Sequence, residues 1–189
     1  KLKTGLGYVE ADVKMNLQDS MAFSRYDGKI KLQKFKLGKF LGLESVLGTL
    51  DAEGSLKGSG FAKKSANIDF DGNVSEIYFN QYLYHKIALK GNFQKQLFKG
   101  DVISKDTNLV ATMSGLIDLR GAKPVYQMQG EITQANLHNI RLLDPQISLS
   151  TDFELDIKGD HFDDLEGRSV FYNTTLRTPK QPDLHVDLV

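Results

Sequence analysis

In the stretch Leu109 to Leu119 (LVATMSGLIDL), apolar or small residues take every second position: Leu109, Ala111, Met113, Gly115, Ile117 and Leu119. Between them lie Thr112, Ser114 and Asp118, along with the apolar Val110 and Leu116. Side chains alternate across a strand, so this pattern predicts one apolar face and one mostly wetted face. The same beat runs through Val9, Ala11, Val13, Met15, Leu17, then Ile30 and Leu32, and then Leu50, Ala52, Gly54, Leu56. It continues in Ile68 and Phe70, in Ile77 and Phe79, in Ile87, Leu89, Gly91, Phe93, and in Tyr126, Met128, Gly130, Ile132. The last stretches are Ile147 to Ile157, Val170 to Leu176, and Leu184, Val186, Leu188. Roughly a dozen short strands separated by turn residues predict an all-β architecture. Strands this close in sequence pair most readily as an antiparallel meander.

Two segments break the alternation. Leu37, Phe40, Leu41, Leu43 and Leu47 approach helical spacing, and Leu137 to Leu143 (LHNIRLL) repeats the idea before Asp144-Pro145, which stops a helix. Each predicts one or two turns of helix, too short to cover a large sheet. They also mark a weak internal repeat, over about 30–80 and 130–176. In both copies a short helix is followed by a strand, then Lys57-Gly58 and Phe61, or Lys158-Gly159 and Phe162. Phe79-Asn80 after Gly72 and Tyr172-Asn173 after Gly167 extend the parallel. A period of about a hundred residues suggests a β unit that stacks end to end within a single segment, 1–189. The sequence starts at Lys1 with neither an initiator Met nor a signal h-region, and it ends inside a strand pattern. This predicts a piece of a longer chain.

Glycines at 72, 91, 100, 115, 130, 159 and 167 fall within or beside strand patterns, where glycine ordinarily weakens a sheet. Used repeatedly, glycines and bulges let a sheet bend and coil, as a trough or a barrel requires. Charge narrows the partners: 24 basic and 24 acidic residues leave no field to recruit nucleic acid. Cysteine is absent, so no disulfide framework argues for or against an oxidising compartment.

The sequence offers no catalytic constellation, and the expectation is that the protein is not an enzyme. There is no Cys nucleophile and no Ser in a G-x-S-x-G elbow. His85, His138, His161 and His185 share no metal spacing and read as solvated or edge side chains, so no metal or cofactor is expected. Gly5-Leu6-Gly7 and Gly58-Ser59-Gly60 read as turns, not phosphate loops. Asp69-Phe70-Asp71-Gly72-Asn73 has its glycine too early for an EF-hand and reads as a tight turn. Asp163-Asp164 with Glu166 reads as a solvated turn, and Asn173-Thr174-Thr175 matches a glycosylation acceptor. Lys29, Lys31, Lys34, Lys36 and Lys39 could attract anionic headgroups, but charges that protect a strand edge are the simpler reading.

Dozens of large apolar side chains, each worth roughly 1.5–3 kcal/mol on burial, need a cover. A second sheet, closure into a barrel, or a bound lipid would each provide one. A membrane barrel would need aromatic girdles and strands of about ten residues, which the pattern does not show.

Four stretches add a resemblance: Leu37-Gly38-Lys39-Phe40-Leu41-Gly42 with Leu47-Gly48; Tyr82-Leu83-Tyr84-His85-Lys86-Ile87-Ala88-Leu89-Lys90-Gly91; Lys105-Asp106-Thr107-Asn108-Leu109 leading to Ser114-Gly115-Leu116-Ile117-Asp118-Leu119; and Ala135-Asn136-Leu137. Their order, over roughly Ile30 to Val170, resembles the C-terminal region of the TamB translocation and assembly module proteins of the AsmA-like superfamily, in a version from the Bacteroides-like branch of Gram-negative bacteria. Asp106-Thr107-Asn108 departs from it where a proline before the Asn is expected. The resemblance implies a strongly curled, mostly antiparallel sheet forming an elongated U-shaped groove, a β-taco, with a closed barrel or sandwich as the alternative. It implies a periplasmic location, an inner-membrane anchor outside this segment, and phospholipid carried along the groove towards the outer membrane. It also implies a partner outer-membrane barrel of the TamA type in outer-membrane protein assembly. It supplies no catalytic residues.

Combining both lines, the side chains expected to line the groove are Ile68, Phe70, Leu89, Phe93, Met113, Ile117, Tyr126, Met128, Ile132, Leu149, Phe153, Leu155 and Ile157. Each would serve equally as ordinary core in a closed barrel or sandwich. The rival function is a protein-binding scaffold or chaperone whose edge strands pair with an outer-membrane barrel or an unfolded client.

Overall fold

A computed structural model describes residues 2–17, 24–60, 62, 64–159, 164–179 and 181–188. The strands are β1 (Leu2–Thr4), β2 (Gly7–Asn16), β3 (Arg25–Lys36), β4 (Leu47–Ser59), β5 (Asn67–Phe79), β6 (Tyr82–Gln94), β7 (Leu97–Lys105), β8 (Leu109–Asp118), β9 (Val125–Asn136), β10 (Ser148–Lys158), β11 (Glu166–Thr178) and β12 (Gln181–Leu188). They form one twelve-stranded sheet in simple sequence order, each antiparallel to the next. The sheet is not closed into a barrel. Among the described residues there is one short helix, α1 (Leu37–Leu41), which joins β3 to β4.

The meander is as the alternation predicts, but the strands are longer. Ile68-Phe70 and Ile77-Phe79 lie on one strand, β5, which is 13 residues long. The apolar phase slips between Val74 and Ile77 because the β4–β5 register shifts there, a bulge that hides the continuity from a period-two reading. Strand length therefore does not argue against a membrane barrel. Asp69 to Asn73 is not a turn but the middle of β5, where Gly72 sits opposite Gly54. Gly58-Ser59 ends β4, and only Gly60 lies beyond the strand, at φ 75°. β7 escapes the alternation because its apolar-face positions, Phe98, Gly100, Val102 and Ser104, are half small. The second helical candidate, Leu137 to Leu143, forms hydrogen-bonded turns, not a helix.

The register builds continuous rows across the sheet. One runs Ala11, Ile30, Gly54, Gly72, Leu89, Val102, Met113, Gly130, Phe153, Phe171 on the apolar face. On the other face, Asp12, Lys29, Ser55, Asp71, Lys90 and Asp101 lie side by side. Opposite charges adjoin there: Lys31 reaches Glu53 at 2.9 Å, and Lys90 reaches Asp71 at 3.4 Å. Lys29 and Lys31 are thus not edge protection. β3 is an interior strand, where Lys31 pairs with Glu53 on β4 and Lys29 stands opposite Asp12 on β2.

Glycines set how closely the strands approach. A side chain on Gly54 or Gly72 would meet the Phe70 ring at 3.0 and 2.9 Å. One on Gly91 or Gly100 would meet the Phe98 ring at 2.8 and 2.9 Å. Each phenyl ring lies over a cross-strand glycine pair and fills the space their side chains leave. Helix α1 stops at Gly42, in the left-handed conformation at φ 77°, whose N–H donates to the Gly38 carbonyl.

The surface is large for the mass. It measures 11932 Å², whereas a compact protein of 21.1 kDa would expose about 9,000 Å². Among the described residues only ten apolar side chains are buried, four of them alanines. One sheet without a second layer has little interior.

Two tests follow. Gly100→Ala places a methyl 2.3 Å from the Lys90 carbonyl, in backbone that cannot yield cheaply, so urea unfolding should show a loss of about 1–3 kcal/mol. The β6–β7 turn puts Lys95 and Gln96 at φ 48° and 70°, a two-residue hairpin that favours Asn-Gly. Lys95→Asn with Gln96→Gly should raise stability by roughly 1 kcal/mol in the same assay.

Candidate functional site

All thirteen expected lining residues project from the same face of the sheet, by their register. Ile68 pairs with Phe93, Phe70 with Gly91, Leu89 with Gly72, and Ile117 with Tyr126. Met128 pairs with Leu155, Tyr126 with Ile157, Ile132 with Thr151, and Leu149 with Ala135. Met113 and Phe153 both face Gly130. Phe153 is buried, and the other twelve are half-buried. Neighbouring side chains shield one another, yet no second layer seals them off. The acidic and basic residues of the opposite face, Asp69, Asp71, Lys90 and Asp101 among them, are exposed. Sequence reasoning missed Val102 and Phe98, which complete the same face on β7.

One lip of this apolar face is covered. Ile140, from the connector between β9 and β10, is only 2 % exposed and clusters with Tyr84 and Ala135. Ile77, Ile87, Leu109, Ile132, Leu137 and Leu149 pack around them. α1 lies over the same lip, where Phe40 meets Phe35 at a ring separation of 5.9 Å.

A buried polar network holds this covered lip. The Asp106 carboxylate, in a residue 2 % exposed, accepts from the Tyr82 hydroxyl at 3.0 Å, the His85 backbone N–H at 2.9 Å and the Asn108 N–H at 2.7 Å. Asn108 Nδ2 donates to Tyr82 Oη at 2.9 Å. Asn139 Nδ2 donates to Asn108 Oδ1 at 2.8 Å, and the Asn139 N–H donates to Asn136 Oδ1 at 3.1 Å. The β5–β6 turn, the β7–β8 turn and the β9–β10 connector are thereby tied together. Burial raises the Tyr84 phenol to about 12, with neighbouring Tyr82 and Asp106 adding to the shift. Burial also raises Tyr82, against the lowering effect of the Asn108 hydrogen bond.

A concavity of about 920 Å³ lies away from this lip. It opens over the charged face, among Asp27, Lys57, Asp69, Asp71, Lys90 and Lys99. Lys57–Asp27 and Lys90–Asp71 pairs, both at 3.4 Å, neutralise much of its charge internally. It has no built anion or cation site, so the apolar face is the better candidate.

The remaining chemistry is scattered. His85 lies 4.0 Å from Glu76, and His185 bonds Thr175 at 3.0 Å. His161 and Asp163 fall outside the described residues, as do Phe61 and Phe162 of the repeat pattern. Asp164 pairs with Lys123 at 3.1 Å. Asn173 sits in the β11 bulge at φ 53°, bonded to Asp152 at 2.6 Å. Among the described residues no group of three or more His, Asp or Glu is placed to hold a metal ion. No helix is long and apolar enough to cross a membrane, among the same residues. No protein-family model, curated protein or solved structure matches the chain.

Two measurements probe the covered lip. Tyr84 ionises more readily when unfolded, so its contribution to folding is intact below pH 10 and is lost as pH rises towards 12. Alkaline unfolding of the protein should therefore shift to higher pH in Tyr84→Phe. Asp106→Ala leaves the His85 N–H and the Tyr82 hydroxyl without their acceptor and should cost about 1–3 kcal/mol for each group left unpaired, read by denaturant unfolding.

Proposed function

We propose that the apolar face binds phospholipid acyl chains, and that this protein is a groove segment carrying them across the periplasm of a Gram-negative bacterium. It would move lipid between inner and outer membranes and support outer-membrane biogenesis. The observation that carries the lipid reading is the mostly apolar face of an open sheet, half-buried and with no second layer over most of it. Burial of acyl chains against Leu89, Met113, Met128 and Leu155 would supply the driving force, with little dependence on headgroup identity. Methionines at 113 and 128 suit a surface that must accept chains of varied shape. The periplasmic setting, the inner-membrane anchor and the partner barrel rest on the TamB-like sequence resemblance.

A specific feature favours a second reading. Among the described residues, β12 and the part of β2 beyond its short pairing with β1 are the outer strands of the sheet, where a client strand would add. A scaffold that pairs with client strands would use those edges and leave the apolar face empty.

Mass spectrometry of an organic extract from protein purified without detergent separates the two. Lipid carriage predicts stoichiometric phospholipid that falls at least tenfold in Met113→Asp. Met113 is half-buried and faces Gly130, so this variant should keep its fold by circular dichroism. Phe153→Asp should lose lipid too, but Phe153 is 3 % exposed and its loss carries a folding cost. A folded wild-type protein without lipid would reject the carrier reading and favour the edge-pairing scaffold.

A further inference from the structure

The apolar face carries no charge. By register its positions on β2 to β11 run from Val9 through Leu89 and Met113 to Phe171, and none of them is an Asp, Glu, Lys or Arg. The layer it lacks has a measurable size. The surface of 11932 Å² exceeds the roughly 9,000 Å² of a compact protein of this mass by about 2,900 Å². With that excess shared between the two faces, two copies that cover each other's apolar faces bury about 2,900 Å² between them, inside the range of about 2,000–5,000 Å² for permanent homodimers. Such interfaces are also depleted of charge at their centre, as this face is.

The shape of the face selects one arrangement. Antiparallel order puts the β3–β4, β5–β6, β7–β8 and β9–β10 connections at one lip, where α1 and the Ile140 connector stand over the sheet as a ridge. At the other lip β6 and β7 are joined by Lys95 and Gln96 alone. Two faces laid together with like lips aligned would collide ridge against ridge. A two-fold axis between the sheets and perpendicular to the strands instead sets each ridge against the partner's open lip. It also lays like strand over like strand, which keeps Met113, at the middle of β8, inside the joined faces.

We propose that the lipid-free protein is a face-to-face homodimer, the covered lip of each copy closing the open lip of the other. Pairing keeps the apolar face from water, and from indiscriminate association, until a guest replaces the partner. Leu89, Met113, Met128 and Leu155 would serve partner and acyl chain alike, so pairing and lipid loading exclude each other. That exclusion rests on the lipid reading above; the pairing itself stands on the charge-free face and its area.

Sedimentation equilibrium of delipidated protein, its emptiness checked by mass spectrometry, should show a dimer. Met113→Asp and Met128→Asp each put a charge into the face and should raise the dissociation constant at least tenfold, in variants whose fold is checked by circular dichroism. The chain contains no cysteine, so single thiols mark the lips: Lys95→Cys the open one and Leu142→Cys the connector, both at exposed positions. In a mixture of the two variants a short bis-maleimide should link Lys95→Cys to Leu142→Cys several-fold more than either to itself. Linkage mainly between two Leu142→Cys chains would overturn the exchange of lips. Delipidated protein that stays monomeric, or a dimer that both aspartates leave unchanged, overturns the face-to-face pairing. Protein that holds phospholipid and is still the same dimer overturns the exclusion and leaves lipid carriage intact. A dimer that takes up no phospholipid from phosphatidylethanolamine vesicles overturns the carrier reading and leaves the pairing in place.

Discussion

Between β6 and β7, Gly91 and Gly100 face each other, and a side chain on either would come within 2.6 or 2.3 Å of the neighbouring strand's carbonyl oxygen. The same constraint recurs between β4 and β5 at Gly54 and Gly72, at 2.5 and 2.3 Å. Strands that approach this closely cannot lie as a flat, evenly pleated sheet. On the apolar face the rings of Phe70 and Phe98 occupy the missing side-chain volumes. Glycine's ordinary entropic cost in a strand is offset here by buried phenyl surface. An open sheet can thereby keep its apolar side chains half-buried without a second layer.

The consequence is a protein whose stability is distributed, not concentrated. With so few fully buried apolar residues, no large core exists for any one element to lean on. Each strand is held chiefly by its two neighbours, as in a repeat protein. The exception is the covered lip, where Ile140, Tyr84 and Ala135 form a small core backed by a buried carboxylate with three donors. Asp106 replaces strand pairing where the β6–β7 ladder ends at Ile87, and its Oδ2 takes the His85 N–H. Rigid backbone is thus placed where the sheet would otherwise fray.

The all-β meander was legible because period-two alternation survives in most strands, and all thirteen residues chosen for the lining share a face for the same reason. What misled was local. Asp69 to Asn73 has turn-like composition, yet Gly72 is required by contact with Gly54 on the adjacent strand, which no local pattern reveals. β7 escapes a period-two reading because Gly100 and Ser104 stand at positions of the apolar face, the first to admit Phe98 and the second to donate to the Leu109 carbonyl at 2.7 Å. Bulges at Lys34, at Asn173 and in β5 between Val74 and Glu76 reset the apolar phase, and in β5 this makes one strand read as two. The Lys105 to Leu109 stretch, singled out by resemblance alone, contains the carboxylate that ties the lip together.

The two faces argue differently about ligands. On the charged face, acidic and basic residues alternate across strands and are already paired, so an incoming ion would have to break a pair to form its own contact. On the apolar face, the side chains have no competing partner to lose. Water is what covers most of them, and displacing it is favourable for any apolar chain that fits. The charged face thus gains little from an added ion, whereas the apolar face gains from any apolar cover, be it a guest chain or a further layer of protein. That difference needs no dedicated pocket, since it follows from which face has satisfied its own side chains.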